Sequence, residues 1–403
     1  MNKMLLLMTL LFIMNACCSE ETAILQKETD VSVVSCAESI SGALESAERM
    51  YADLFGKTDS DLRIENVEKI SSNTRSASQD ADQNLYVVNY SQGKGFAILC
   101  DNPRSVSVIA ISNEGSLNSE DLKDNEVISW YLDNVGEPIA LSRIWEPIVP
   151  IDTNVQTIVK PVLDRTEYSK PLLKGLLANL HQFNPLNRFC QGAVGCAPLA
   201  CGTVMAYHKW PKSYSGHVWD WDAMHADESS SDWCWLFKYL GDKDNCGSYY
   251  FFDEINNNYF TVSFFDNIVR TFSNFGYGKV LIEDFSVSSI SSELRNGYPV
   301  LCDGRHVNAP DEGHTWVIDG GYCDSVKYPG MQNEDGSQDS TTIYSYYFHC
   351  VWGEAGKANG YFLFDVTTGK MGGYPDKGDY EYNESHGFIY KNMKIGHNIR
   401  PLR

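Results

Sequence analysis

The chain has 403 residues, 43% of them hydrophobic and 21% charged, values of globular proteins that allow a large core. That length exceeds one ordinary domain, and two are expected. The net charge of −21 argues against nucleic acid or an anionic membrane surface as the main partner.

The chain opens with the pattern of an export signal, Lys3 followed by an apolar run from Met4 to Met14 that is too short to span a bilayer. Asn15-Ala16-Cys17 resembles a bacterial lipoprotein signal with Cys17 as the lipidated residue, Cys18 being a rival and a plain signal peptide the alternative. Residues 1–17 are therefore read as the signal and 18–35 as a tether. The mature protein is expected to be exported: lipid-anchored in a bacterial cell envelope, otherwise periplasmic or secreted. A lipid anchor would be its only membrane contact.

Residues 37–55 place Ile40, Leu44, Ala47, Tyr51, Leu54 and Phe55 on one helical face. Leu85–Tyr90 and Gly95–Cys100 read as strands around a Gly-containing turn, Ser105–Ile111 as a third β-rich run, and Asp121–Leu132 as a second helix. Residues 36–145 thus form a small α+β unit with no catalytic cluster. Residues 146–168, carrying Pro147, Pro150 and Pro161, read as a linker, with Lys160, Arg165 and Lys170 offering proteases a place to cut. Residues 169–403 read as a second α+β domain, rich in aromatic residues and cysteine, with candidate strands at 299–302, 314–318, 342–352 and 361–365.

Twelve cysteines are irregularly spaced, so no pairing follows from sequence; Cys234 and Cys246 are placed to bridge a loop. Cys100 lies in an apolar strand-like run, where a buried free thiol is expected. Cys196 differs from these. It stands at the start of a helix running to His208, with Pro198 in the first turn and Trp210-Pro211 beyond its end. Exposed N–H groups and the helix dipole favour a negative charge there, and the thiolate is the nucleophilic form. His314 lies in Gly313-His314-Thr315-Trp316-Val317-Ile318, where an apolar strand aims a base into a cleft. His208 is three turns from Cys196 and too far to serve. Cys190, Cys196, Cys201 and His208 lack the close pairs of a structural zinc site, and no metal or organic cofactor is expected. Asp303 and His306, near His314, read either as cleft residues or as a solvated loop, the loop being favoured, and the acidic stretch at Asp376, Asp379, Glu381 and Glu384 reads as solvated.

Taken together, Gly195-Cys196 with its helix, Gly313-His314-Thr315-Trp316-Val317-Ile318-Asp319-Gly320 and Trp352-Gly353 resemble the streptopain family of bacterial papain-like cysteine peptidases. The resemblance runs from about residue 165 to the C-terminus. It implies an α+β papain-like domain in which Cys196 and His314 are catalytic, Gln182 of Gln182-Phe183-Asn184-Pro185 serves the oxyanion hole, and Trp352 packs in support. Tyr86-Val87-Val88-Asn89 with Gly93-Lys94-Gly95-Phe96 resembles the Spi-type propeptide of such enzymes, a small α+β domain with an antiparallel sheet that acts as an intramolecular inhibitor.

One position departs from the pattern: Val351 stands where the family has asparagine before the tryptophan, so the usual side chain that orients the imidazole is missing. The loop from Asn187 to Cys196 is shorter than in the family and the segment from Gly321 to Tyr347 longer. The implied function is an endopeptidase made as a zymogen and acting on protein or peptide substrates. The alternatives are a catalytically weakened homologue that binds or inhibits proteases, and an enzyme acting on a cell-wall peptide amide.

Overall fold

Helix α1 (Ser41–Phe55) forms because Ala43, Leu44, Ala47, Met50 and Tyr51 recur at helical spacing, and all five are buried. Gly56 ends it at φ 66°, a left-handed position that glycine takes without a Cβ clash. In this computed structural model the residues described are 40–56, 62–70, 84–102, 106–118, 126–136, 162–253, 258–305, 313–332, 338–370 and 393–402.

After α1 come β1 (Ile64–Ile70), β2 (Leu85–Tyr90), β3 (Phe96–Cys100), β4 (Val108–Ile111) and the short helix α2 (Glu126–Tyr131). Then follow β5 (Val162–Ser169), the helix α3 (Cys196–His208), and the two-residue strands β6 (Ser213–Tyr214) and β7 (His217–Val218). Helices α4 (Trp221–Ala226) and α5 (Ser231–Gly241) lead to a hairpin of β8 (Tyr249–Asp253) and β9 (Asn258–Val262). Next are α6 (Ile268–Asn274), β10 (Leu281–Asp284), α7 (Val287–Arg295), β11 (Val300–Arg305), β12 (Gly313–Gln332), β13 (Gln338–Val351), β14 (Gly360–Lys370) and β15 (Met393–His397).

The two expected units share one sheet. Its strand order is β1-β2-β3-β4-β14-β13-β12-β11-β15-β10, with β5 beside β12. The seam is β4 against β14, antiparallel, Ala110 opposite Phe362 and Ile111 opposite Tyr361. Backbone hydrogen bonds across that seam give the N-terminal unit a geometric fit to the C-terminal one that side-chain contact alone would not provide. Tyr131 adds a second tie, donating its hydroxyl to the Leu363 carbonyl at 2.7 Å. One apolar cluster runs through the seam and joins Trp130 of α2 to Trp316 and Trp352. A second cluster surrounds α3, which is buried from Ala197 to Ala206.

Three expectations change. Residues 162–169, read as the end of the linker, form β5, paired from Lys327 to Gly321 of β12. The prolines that suggested a linker all lie before this strand. Arg165 is no open cutting site: it is held in the ladder, bonded through Nε and Nη2 to Asp324 (Nη2 to Oδ2, 2.7 Å), and also reaches Asp53 of α1. The long segment after Gly321 is a hairpin arm in which β12 and β13 stay paired out to Gln332 and Gln338. Cys234 and Cys246 are both free thiols; Cys234 donates to the Pro185 carbonyl, whereas Cys246 meets the Thr271 hydroxyl. The signal, Cys17 and Cys18, the tether, Lys160 and the acidic stretch after residue 370 lie outside the described residues.

Candidate active site

Gly195 sets up the start of the helix at Cys196. Its φ of 94° and ψ of 143° turn the chain sharply into α3, and an added Cβ would also press within 3.0 Å of Thr261. Cys196 is therefore the first helical residue, at the end where backbone N–H groups lack intrahelical partners. Cys196 as a residue keeps some solvent exposure, whereas Cys100, Cys201, Cys302, Cys323 and Cys350 are buried.

His314 comes from β12, directly opposite Gly304 of β11. Its Nε2 lies 2.8 Å from the Trp352 carbonyl oxygen. A carbonyl only accepts, so Nε2 carries a hydrogen and Nδ1 is the nitrogen left to exchange a proton with Cys196. Burial pushes the Cys196 thiol up, but its hydrogen bond to His314, the charge of that ring and the Thr315 N–H outweigh it, so the net shift is down. For His314, burial favours the neutral ring; the bond and charge of Cys196, then the Trp352 carbonyl and Glu354, overcome that and raise it. The two shifts have opposite sign and one cause, a thiolate–imidazolium pair. Elsewhere burial wins: Cys100 and Cys323 are pushed up to about 12 and Cys190 up to about 11.

Gln182 is tied by backbone pairing to the segment that leads into Cys196. Its carbonyl accepts from Val194 N–H at 2.8 Å, two residues before Cys196. Its side-chain Nε2 donates to Glu354 Oε1 at 3.4 Å. Trp352 does pack, with ring centroids 5.0 Å from both Trp316 and Phe362, but its carbonyl is what holds His314. That accounts for Val351. The orienting acceptor is main chain, and the Val351 side chain, 4% exposed, packs in the cluster around α3 and lines a small cavity with Leu177, Leu199 and Thr203.

The solvated-loop reading of Asp303 is corrected. It is 3% exposed, accepts from the Thr315 hydroxyl at 2.6 Å, and is gripped by both ends of the Arg305 fork at 2.7 and 2.8 Å. His306 lies outside the described residues. His208 sits at the far end of α3, against Tyr277 and Tyr298. Cys190, Cys196, Cys201 and His208 form no metal cluster; among the described residues no group of three His, Cys, Asp or Glu is placed to hold an ion.

Sequence reasoning passed over Glu354, Thr315 and Asn359. Asn359 accepts from Trp352 N–H at 3.1 Å and donates to the Ala178 carbonyl at 2.7 Å, anchoring the backbone of the residue whose carbonyl holds His314. An asparagine seven residues after Trp352 carries no local signal of this role.

These groups have the arrangement expected of a papain-like thiol site: a thiol at a helix start, an imidazole on a strand hydrogen-bonded to it, and a glutamine on the segment paired just ahead of that helix. Residues 180–362 match the model of the Peptidase C10 family, and residues 37–137 match that of the Spi protease inhibitor. The chain therefore carries a Peptidase C10 domain, of the streptopain family, with a Spi-type propeptide domain ahead of it. A solved structure of a mutant prointerpain A fragment from Prevotella intermedia is similar at 14% identity and a TM-score of 0.48, over 83% of this chain and 98% of that one. No curated protein matches.

Proposed function

We propose that the protein is the exported zymogen of a cysteine endopeptidase, acting through Cys196 and His314. The observation that carries this reading is the hydrogen bond from His314 Nε2 to the Trp352 carbonyl, which leaves Nδ1 for Cys196. The thiolate attacks the scissile carbonyl carbon, the new Sγ–C bond forming as the carbonyl electrons move to oxygen. Gln182 Nε2–H and the Cys196 backbone N–H stabilise that oxygen. The C–N bond then breaks, and the proton on His314 Nδ1 passes to the leaving amine. Water, deprotonated by the same nitrogen, hydrolyses the thioester and restores the ion pair.

The N-terminal Spi-type domain is the intramolecular inhibitor in this proposal. Support comes from the shared sheet and from the Trp130 contact with the histidine strand, which seat it against the catalytic domain. Export by residues 1–17, with lipid attachment at Cys17, completes the reading.

The test is to purify wild type and Cys196→Ala, follow self-shortening on a gel, and label with a peptidyl chloromethyl ketone. Conversion and labelling of wild type alone support the peptidase. Absence of both in wild type, with the fold intact, favours the protease-binding homologue instead. Hydrolysis of peptidoglycan fragments but not of denatured protein would move the substrate to the cell wall.

A further inference from the structure

Residues 180–182 and 354–355 run side by side. His181 and Glu354 form an antiparallel bridge, and Ala355 N–H reaches the Leu180 carbonyl at 3.4 Å. Gln182 on one segment and Glu354 on the other are joined by the 3.4 Å bond from Nε2 to Oε1. The chemistry of this pair is one-sided. A glutamine amide can flip, showing an oxyanion either its N–H groups or its oxygen, and the second would repel the developing charge. An ionised carboxylate only accepts, so it selects the NH2 end. That nitrogen has two hydrogens: one is taken by Glu354 and the other remains for the oxyanion.

We infer that Glu354 is a positioning residue that fixes the amide of Gln182 so that its N–H faces the oxyanion hole. The inference rests on the peptidase reading above and on Gln182 serving the hole. Glu354 also lies close enough to His314 to favour the imidazolium, which adds a charge effect separable from the hydrogen bond.

The test is a set of full-chain variants, Glu354→Ala, Glu354→Gln, Gln182→Ala and the Gln182→Ala/Glu354→Ala double, with Cys196→Ala as control. Each is assayed for kcat and KM on a peptide, for affinity for a peptide aldehyde whose hemithioacetal oxygen occupies the same hole, and for Cys196 alkylation by iodoacetamide against pH. Removing one oxyanion donor costs about 100- to 1000-fold in kcat. Glu354→Ala is expected to lose roughly 10- to 100-fold in kcat, with KM nearly unchanged, and proportionately in aldehyde affinity. Glu354→Gln, whose amide can donate as well as accept, no longer selects the NH2 end and falls between wild type and Glu354→Ala in kcat, while the His314 limb of the pH profile moves down. The double variant falls no lower than Gln182→Ala, because the two residues act as one unit. Alkylation, which builds no oxyanion, keeps its rate in Glu354→Ala at the plateau pH.

The proposal is overturned if the double variant shows the full product of the single losses, if Glu354→Gln is as active as wild type, or if Glu354→Ala changes only KM. Failure of the peptidase reading looks different: Cys196→Ala would match wild type, or no peptide would be cut. In the latter case the aldehyde affinities still decide the role of Glu354.

Discussion

Replacing Trp130 by alanine should open the joint between the two domains without unfolding either. Trp130 is 1% exposed and its ring lies 5.3 Å from that of Trp316. It also covers Gly304, where an added Cβ would fall 2.1 Å from indole Cζ2; Gly304 is the cross-strand partner of His314. The indole is thus a plug against the strand pair that carries the imidazole of His314. Truncating a buried tryptophan costs about 3–5 kcal/mol. Against that, Trp130 Nε1 is buried with no hydrogen-bond partner among the described residues, and removing such a group returns about 1–3 kcal/mol. The net weakening is about 2 kcal/mol, or roughly 30-fold in the opening equilibrium.

Amide hydrogen exchange in a Cys196→Ala background reads this directly, free of self-cleavage. Exchange at the β4–β14 seam, around Ala110 and Phe362, should accelerate by roughly 10- to 100-fold. Exchange in the β12–β13 pairing near Cys350 should hold. Unchanged exchange at the seam, or equal acceleration in both places, would refute the idea that Trp130 anchors the inhibitor domain.

Three further outcomes are expected. Val351→Asn should bring no gain in kcat/KM, since His314 Nε2 already has the Trp352 carbonyl; burying an amide among Leu177 and Leu199 should cost about 1–3 kcal/mol by thermal unfolding. Alkylation of Cys196 should show an acid limb below the pKa of about 8.5 of a free thiol, because the folded thiol is shifted down, and His314→Ala should move that limb up. Asp365 is 9% exposed, and burial raises its carboxyl to about 6. The folded state therefore holds a proton that the unfolded chain has lost between about pH 4 and pH 6, so stability falls as pH rises through that window. Asp365→Asn should then stabilise by on the order of 3 kcal/mol at pH 8 and by much less at pH 4, compared by denaturant unfolding.

Much of the site was legible locally. Cys196 announces itself by a glycine before a run of helix-forming small residues, and His314 by glycines flanking an apolar strand, because both signals are contained within a few residues. The strands β2, β3 and β4 were readable for the same reason, each being a short apolar run bounded by turns. β5 was not, since Val162–Ser169 has only Leu163 and Tyr168 as further large apolar residues and owes its form to pairing with β12. Asp303 was misread because charge in sequence looks like solvent exposure, while Thr315 and Arg305 satisfy it inside.

By itself the sequence determined the chemistry available: one thiol at a helix start, one imidazole on a strand, one amide in a loop, and an inhibitor-like unit ahead of them. Only the tertiary structure decided what orients that imidazole. Side-chain identity at Val351 predicted a missing partner, but a main-chain carbonyl is present at every residue and leaves no trace in composition. Its direction is set by Asn359 and by the packing of Trp352, contacts made between segments far apart in the chain. The same holds for the seam between the two units, where backbone hydrogen bonds between β4 and β14 depend on register and shape rather than on which residues stand there.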